Sequence, residues 1–255
     1  MMKELKLPEA ILLDMDNSIY EYRPCHEAAL AKVESILKEA VCMEPAVFRE
    51  KYMDARKQIH SRLRNTASSH NRLLYFQRLL ELGGHGMKIG LASRLYEIYW
   101  ETFMNNIRIF EGVFNFLEHA RMMNIPVVLV TDLTADIQFR KITRLGLENA
   151  VDAVVTSEEA GAEKPSREIF ELALKKTGCA GKMIWMIGDS LTKDIAGGKA
   201  IGAVTFLRVQ DGESPCLSGI NPDIVFKSFH ELTCILAGCE ARSLTCRQPL
   251  KEGLP

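Results

Sequence analysis

From Val113 to Leu207 the chain alternates short apolar runs with stretches of helical periodicity, and no other feature constrains its fold as tightly. Val113 to Met123 has a helical pattern, and Pro126-Val127-Val128-Leu129-Val130 is a continuous apolar run of strand length. Ala135 to Leu145 is helical and Gly146 stops it. Val151 to Thr156 then has strand character. Ser166 to Lys176 forms a helix opened by Pro165 and closed near Gly178. Met183 to Ile187 is a strand, Asp194 to Ala200 a helix, and Val204 to Leu207 a strand. Ile224-Val225-Phe226 is a last short strand, followed by a helix through about Leu236. Apolar runs without polar alternation belong to strands covered on both faces. Strands and helices alternating at this spacing predict βαβ units, hence an α/β fold with a doubly wound parallel sheet.

Ala10-Ile11-Leu12-Leu13 is a further strand, which stops at Asp14-Met15-Asp16. From about Tyr20 to Asn106 the strand signal disappears. Leu91, Leu95, Ile98, Tyr99 and Phe103 share one helix face, and Leu73 to Leu80 forms another helix that Gly83-Gly84 ends. The expected organisation is an α/β core from residues 1–19 and 107–240, an all-helical insertion over 20–106, and a loosely ordered tail over 241–255.

Composition narrows the partners. Of 255 residues, 47% are hydrophobic and 25% charged, as in an ordinary soluble domain, and the net charge of −1 offers no basic surplus for nucleic acid. No apolar run has the length of a membrane span, and the opening MMKELKLPEA lacks the apolar core of a secretory signal. Seven cysteines without a Cys-x-x-Cys pair suggest neither zinc nor redox chemistry, and the expectation is a cytoplasmic protein with reduced thiols. Oligomeric state leaves no trace in the sequence.

Ligands of open parallel sheets bind beyond the carboxyl ends of the strands. There the sequence places Asp14-Met15-Asp16-Asn17-Ser18, Thr131-Asp132, Lys164-Pro165 and Gly188-Asp189-Ser190, with Asp194 five residues past Asp189. Each motif alone is an ordinary polar turn. Together they gather several carboxylates at one sheet edge, where mutual repulsion raises their pKa values unless a cation joins them. A few carboxylates around a hard cation is the habit of Mg²⁺.

The order and spacing of these motifs, across Ile11–Asn17 and Phe110 to about Leu207, resemble the haloacid dehalogenase superfamily, most of whose members are Mg²⁺-dependent phosphatases. The helical insertion is similar to the family's first-type cap, and Ser157 to Pro165 is similar to its branch of nucleotide and N-acylneuraminate phosphate phosphatases. The resemblance implies that Asp14 is a nucleophile forming an aspartyl-phosphate and that Asp16 is the general acid and base. It implies that Thr131 and Lys164 hold the phosphate, and that Asp14, the Asp16 carbonyl, Asp189 and Asp194 serve the Mg²⁺, Asp194 through water or by orienting Lys164. Asn17, Ser18 and Asp132 stand beside the phosphate. Asn17 replaces the family's usual glycine and tolerates positive φ better than other side chains. Ser18 replaces threonine and keeps the hydroxyl. Asp132 replaces a common asparagine, and its charge is unhelpful near a phosphate unless it is paired or points away.

In this family the cap selects the substrate. Arg49 to Arg78 holds eight Lys/Arg against Glu50 and Asp54, which reads either as an anion-attracting surface or as a solvated helix face. Ser68-Ser69-His70-Asn71-Arg72 reads as a helix start capped by Ser69 or Asn71, or as a substrate loop in which Arg72 contacts substrate. The expected activity is hydrolysis of a small phosphorylated metabolite: a nucleotide, sugar phosphate or sugar-acid phosphate. Phosphomutase, metal-independent 2-haloacid dehalogenase and a catalytically silent binding protein are the alternatives. Asp16, Asp189 and Asp194 argue against the dehalogenase, which needs neither metal nor leaving-group acid.

Overall fold

The computed structural model describes residues 5–210 and 219–246. Six strands form one parallel sheet in the order β3-β2-β1-β4-β5-β6: β1 Ala10–Leu13, β2 Val127–Thr131, β3 Ala153–Thr156, β4 Ile184–Gly188, β5 Val204–Arg208 and β6 Ile224–Phe226. Register is continuous through the centre, with Leu12 beside both Val128 and Met186. The chain runs outward in one direction from β1 to β3 and in the other from β4 to β6. The strand order therefore reverses between β1 and β4, where such sheets open a crevice.

Period-two geometry divides the strand side chains between two cores. Ile11, Leu13, Val127, Leu129, Trp185 and Ile187 face one side, packing with α5 (Val113–Met122), α10 (Phe229–Cys246) and the helical insertion. Ala10, Leu12, Val128, Val130 and Met186 face the other, against Ile169, Phe170 and Ala173 of α8 (Arg167–Thr177). A Cβ on Gly197 in α9 (Ala196–Ala200) would lie 2.2 Å from the Phe170 ring, so close packing there requires glycine.

The insertion comprises α1 (Tyr22–Val41), α2 (Pro45–Arg62), a 3₁₀ turn (Ala67–His70), α3 (Arg72–Leu82) and α4 (Ile89–Asn106). Asn71 caps α3, its side chain accepting from the Leu73 N–H at 2.9 Å. Ser69 does not serve as that cap: it is buried and donates to Glu163 at 3.1 Å. Three sequence boundaries need correction. Pro165 stands two residues before α8 instead of opening it. β3 starts at Ala153, two residues late. α10 continues through 241–246, which were expected to be a loose tail. Leu232, Leu236 and Cys239 are buried on one face of α10, and this face gives the helix a packing partner well past Leu236. Residues 247–255 lie outside the described part. Cys25, Cys42, Cys179, Cys234 and Cys239 are free thiols, and no described helix is long and apolar enough to cross a membrane.

Candidate active site

The site opens at the carboxyl ends of β1, β2 and β4, beside the reversal of strand order. Asp14 follows β1, and its N–H donates to Ile187 O in β4 at 2.9 Å. Its carboxylate is almost fully buried. One oxygen accepts from Lys164 Nζ and the other from Ser18 Oγ at 2.6 Å. Lys164 Nζ also donates to Asp194 Oδ1 at 2.7 Å and to Val130 O at 3.1 Å. Asp194 is reached through a π-helical turn, Leu191–Ile195, and its Oδ2 accepts from Ser190 N–H at 3.0 Å. Gly188 makes this approach possible, since a Cβ there would sit 2.4 Å from the Asp194 carboxyl carbon.

Asp14, Asp189 and Asp194 each present an oxygen within 4.8 Å of the others, and Lys164 is the cation that two of them share. Burial, reinforced by Asp194 and Asp189, pushes the Asp14 carboxyl well up against the pull of Lys164. Burial and Asp194 push Asp189 up to about 6. Lys164, although burial disfavours its charge, is held well above its ordinary value by Asp14, Asp194 and Asp132. Three carboxylates with one ammonium between two of them make a largely buried cluster of oxygen donors, in which Asp189 is half-buried and has no ion pair among the described residues. That donor set fits a hard divalent cation such as Mg²⁺.

Asp16 lies apart from this triad. Lys141 Nζ donates to both its oxygens, at 2.7 and 2.9 Å, and Tyr20 Oη donates to one of them. Lys141 is wholly buried, ringed by Tyr20, Tyr22, Trp100 and Phe103 at 5.4–5.8 Å. Asn17 takes φ 63°, as its identity suggested, and its side chain accepts from Tyr22 N–H at 3.0 Å. Thr131 Oγ1 accepts from Gln138 Nε2 at 2.6 Å at the pocket wall. Asp132 is paired: Oδ2 binds Lys193 at 2.6 Å and Oδ1 accepts Lys164 N–H at 2.9 Å. Burial opposes its charge, but Lys164 and Lys193 together hold its carboxyl below the usual range.

Asp14, Asp16, Asn17, Thr131, Asp132, Lys164, Asp189 and Asp194 all line one cavity of about 270 Å³. Ser18, expected beside the phosphate, does not. Its side chain is wholly buried with its hydroxyl directed at Asp14, so it positions that carboxylate instead. Of the eight basic residues from Arg49 to Arg78, only Arg56 and Arg72 reach the cavity. Arg49 pairs with Glu34, Lys51 with Glu50 and Arg78 with Glu81, so the stretch is largely a solvated face. Sequence reasoning passed over Lys141, Gln138, Lys193 and Glu163. One signal was available: in α6 (Ala135–Leu145) Lys141 falls at i+4 from Ile137 and i−4 from Leu145, a lysine on an apolar stripe.

Residues 8–202 match the model of the haloacid dehalogenase-like hydrolases. The chain belongs to that family. It is 36% identical over 199 residues to a ribulose-1,5-bisphosphate 5-phosphatase of Halopiger xanaduensis, covering 78% of this chain and 83% of the relative. It is 28% identical over 217 residues to a glyceraldehyde 3-phosphate phosphatase of Methanopyrus kandleri, covering 85% and 90%. Among solved structures, a haloacid dehalogenase phosphatase from Thermococcus onnurineus superposes with a TM-score of 0.68 at 22% identity, over 92% of this chain and 99% of that one. A 2-haloacid dehalogenase from Pseudomonas syringae superposes at 0.69 with 21% identity, over 90% and 98%. These two likenesses are of fold.

Proposed function

We propose that this haloacid dehalogenase-type hydrolase is a Mg²⁺-dependent phosphatase that cleaves small phosphorylated metabolites through an aspartyl-phosphate on Asp14. The observation that carries the reading is the buried Asp14–Lys164–Asp194 chain with Asp189 beside it, opening on the same cavity as Asp16. The relatives named as phosphatases of ribulose-1,5-bisphosphate and glyceraldehyde 3-phosphate support the substrate class.

Asp14, held by Lys164 and Ser18 with its carboxylate fixed in place, attacks phosphorus as the bond to the leaving oxygen breaks. Asp16 gives that oxygen a proton. In the second half it takes a proton from the water that hydrolyses the aspartyl-phosphate and releases inorganic phosphate. Lys164 and the Thr131 hydroxyl bind phosphoryl oxygens where charge accumulates. Asp14, the Asp16 carbonyl, Asp189 and Asp194 would hold Mg²⁺, which supplies positive charge against the phosphoryl group. Residues 20–106 act as the cap, and residues 1–19 and 107–240 as the catalytic core.

The test is phosphate release from p-nitrophenyl phosphate and a panel of sugar phosphates, sugar-acid phosphates and nucleoside monophosphates. Release should need Mg²⁺, stop with EDTA and vanish in Asp14→Asn while circular dichroism shows the fold retained. Substantial turnover by Asp14→Asn would reject the covalent route. Transfer of the phosphoryl group to a second sugar position without phosphate release would favour a mutase.

A further inference from the structure

The walls of the cavity divide by charge. All five of its carboxylates, Asp14, Asp16, Asp132, Asp189 and Asp194, come from the sheet edge, four from loops and Asp194 from the π-helical turn. From the helical insertion come Tyr22, Arg56, His70 and Arg72, with no acid among them.

Arg72 is the unusual member. It is only 6% exposed, yet no carboxylate lies within ion-pair distance among the described residues. Its Nη2 donates to Tyr22 Oη, its Nη1 to His70 O at 2.5 Å and its Nε to Tyr99 Oη at 3.4 Å. A guanidinium has five N–H donors, so these three contacts leave two without an acceptor among the described residues. Rings of Tyr75, Tyr99 and Trp100 pack at 5.2–5.8 Å around it and fix its plane. A buried cation compensated only by neutral groups, here two hydroxyls, the His70 carbonyl and ring faces, carries a desolvation cost that an anion would offset. Arg56, exposed at the same wall, is a second cation with no ion pair of its own among the described residues.

We infer that Arg72, assisted by Arg56, binds a second oxyanion of the substrate, remote from the phosphoryl group that is cleaved, so that the preferred substrates are sugar bisphosphates or phosphorylated sugar acids. The inference rests on reading the sheet-edge end of the cavity as the phosphomonoester site. A planar guanidinium with two free donors grips a phosphate or a carboxylate bidentately, and this geometry rejects a neutral hydroxyl at that position. Lys164 and Lys193, the two lysines that line the core end among the described residues, are engaged with Asp14, Asp194 and Asp132 and are not spare for a second anion.

Calorimetric titration of the full-length Asp14→Asn protein with Mg²⁺ tests this without turnover. Ribulose 5-phosphate is compared with ribulose 1,5-bisphosphate, and glucose 6-phosphate with 6-phosphogluconate. In at least one pair the second anion should tighten binding about tenfold or more, and the pair that responds tells phosphate from carboxylate. Arg72→Gln should collapse that ratio to near one, Arg72→Lys should keep part of it, and Arg56→Gln should lower it severalfold. Arg56 is exposed, so its variant reads the subsite even if Arg72→Gln fails to fold. Equal affinities within both pairs, or a preference unchanged in Arg56→Gln and Arg72→Lys, would overturn the second-anion site while leaving the phosphatase reading intact. No binding of any of the four compounds would also overturn the second-anion site, and the phosphatase reading would fall only if the release assay failed as well.

Discussion

Gly188→Ala should cripple the site through a single added methyl group. In a strand the change would ordinarily be neutral or favourable, because it removes freedom from the unfolded chain. Here the new Cβ would lie 2.4 Å from the Asp194 carboxyl carbon and Oδ2, and 2.5 Å from its Cβ. Carbon–carbon contacts settle at roughly 3.5–4.0 Å, so Asp194 must retreat by about 1 Å. Its bonds to Lys164 Nζ at 2.7 Å and Ser190 N–H at 3.0 Å would then stretch beyond useful length. Two hydrogen bonds to a buried charge are worth about 3–6 kcal/mol together, and partial relaxation should leave a loss of roughly 2–4 kcal/mol. For a chain of this size that is a fall in melting temperature of roughly 5–15 °C. Lys164 loses one of its anchors, and a displacement of this size should lower kcat about 100-fold. Circular dichroism melts and phosphate release read the two effects. Asp194→Gly removes all three atoms that clash, the Cβ included, so Gly188→Ala introduced into that background should cost under about 0.5 kcal/mol more. Additive losses in the double variant, or a Gly188→Ala protein within 1 °C and twofold of wild type, would refute the steric argument.

Lys141→Met keeps the length of the side chain among its rings but leaves Asp16 with Tyr20 alone. If Asp16 is the proton donor, turnover of an alkyl phosphate should fall about 100-fold, and p-nitrophenyl phosphate, whose leaving group scarcely needs protonation, should suffer less. Equal losses on both would detach Lys141 from that step. Asp189, near 6 when folded and 3.8 unfolded, holds a proton between about pH 4 and 6 that the unfolded chain has released. Its contribution to cation-free stability therefore falls as pH rises through that window. His26, pushed down to about 4 by burial, works in the opposite sense over much of the same range. The measurement is thus the melting-temperature difference between wild type and Asp189→Asn with EDTA, which should move against wild type from pH 4.5 to 7, and a flat difference would contradict it. Glu163 accepts from Ser69 and pairs with His70 at 3.2 Å, joining the 3₁₀ turn of the helical insertion to the loop before Lys164. Glu163→Gln should raise KM more than it lowers kcat, and an unchanged KM would make that contact incidental to substrate binding.

The strands were legible because burial on both faces leaves nearly pure apolar runs, and the strand order places the ends of those runs together. Asp14, Asp16, Thr131, Lys164 and Asp189 could thus be found as the polar residues that end or follow such runs, and the positive φ at Asn17 follows from the tolerance of asparagine for it. The sheet edge they share is set by alternating chemistry along the chain. What each side chain does there is set by neighbours far away in sequence. Ser18 turned inward to Asp14, and Asp132 found Lys193 sixty-one residues on. Lys141 crossed 125 residues to reach Asp16. Arg72 stood in the sequence among eight basic residues, marked out only by the loop that precedes it; folding enclosed it among tyrosines and left the others in solvent or paired. Local pattern records where a side chain stands on its own helix or strand. Only tertiary contact decides which opposite charge it meets, and whether it meets one at all.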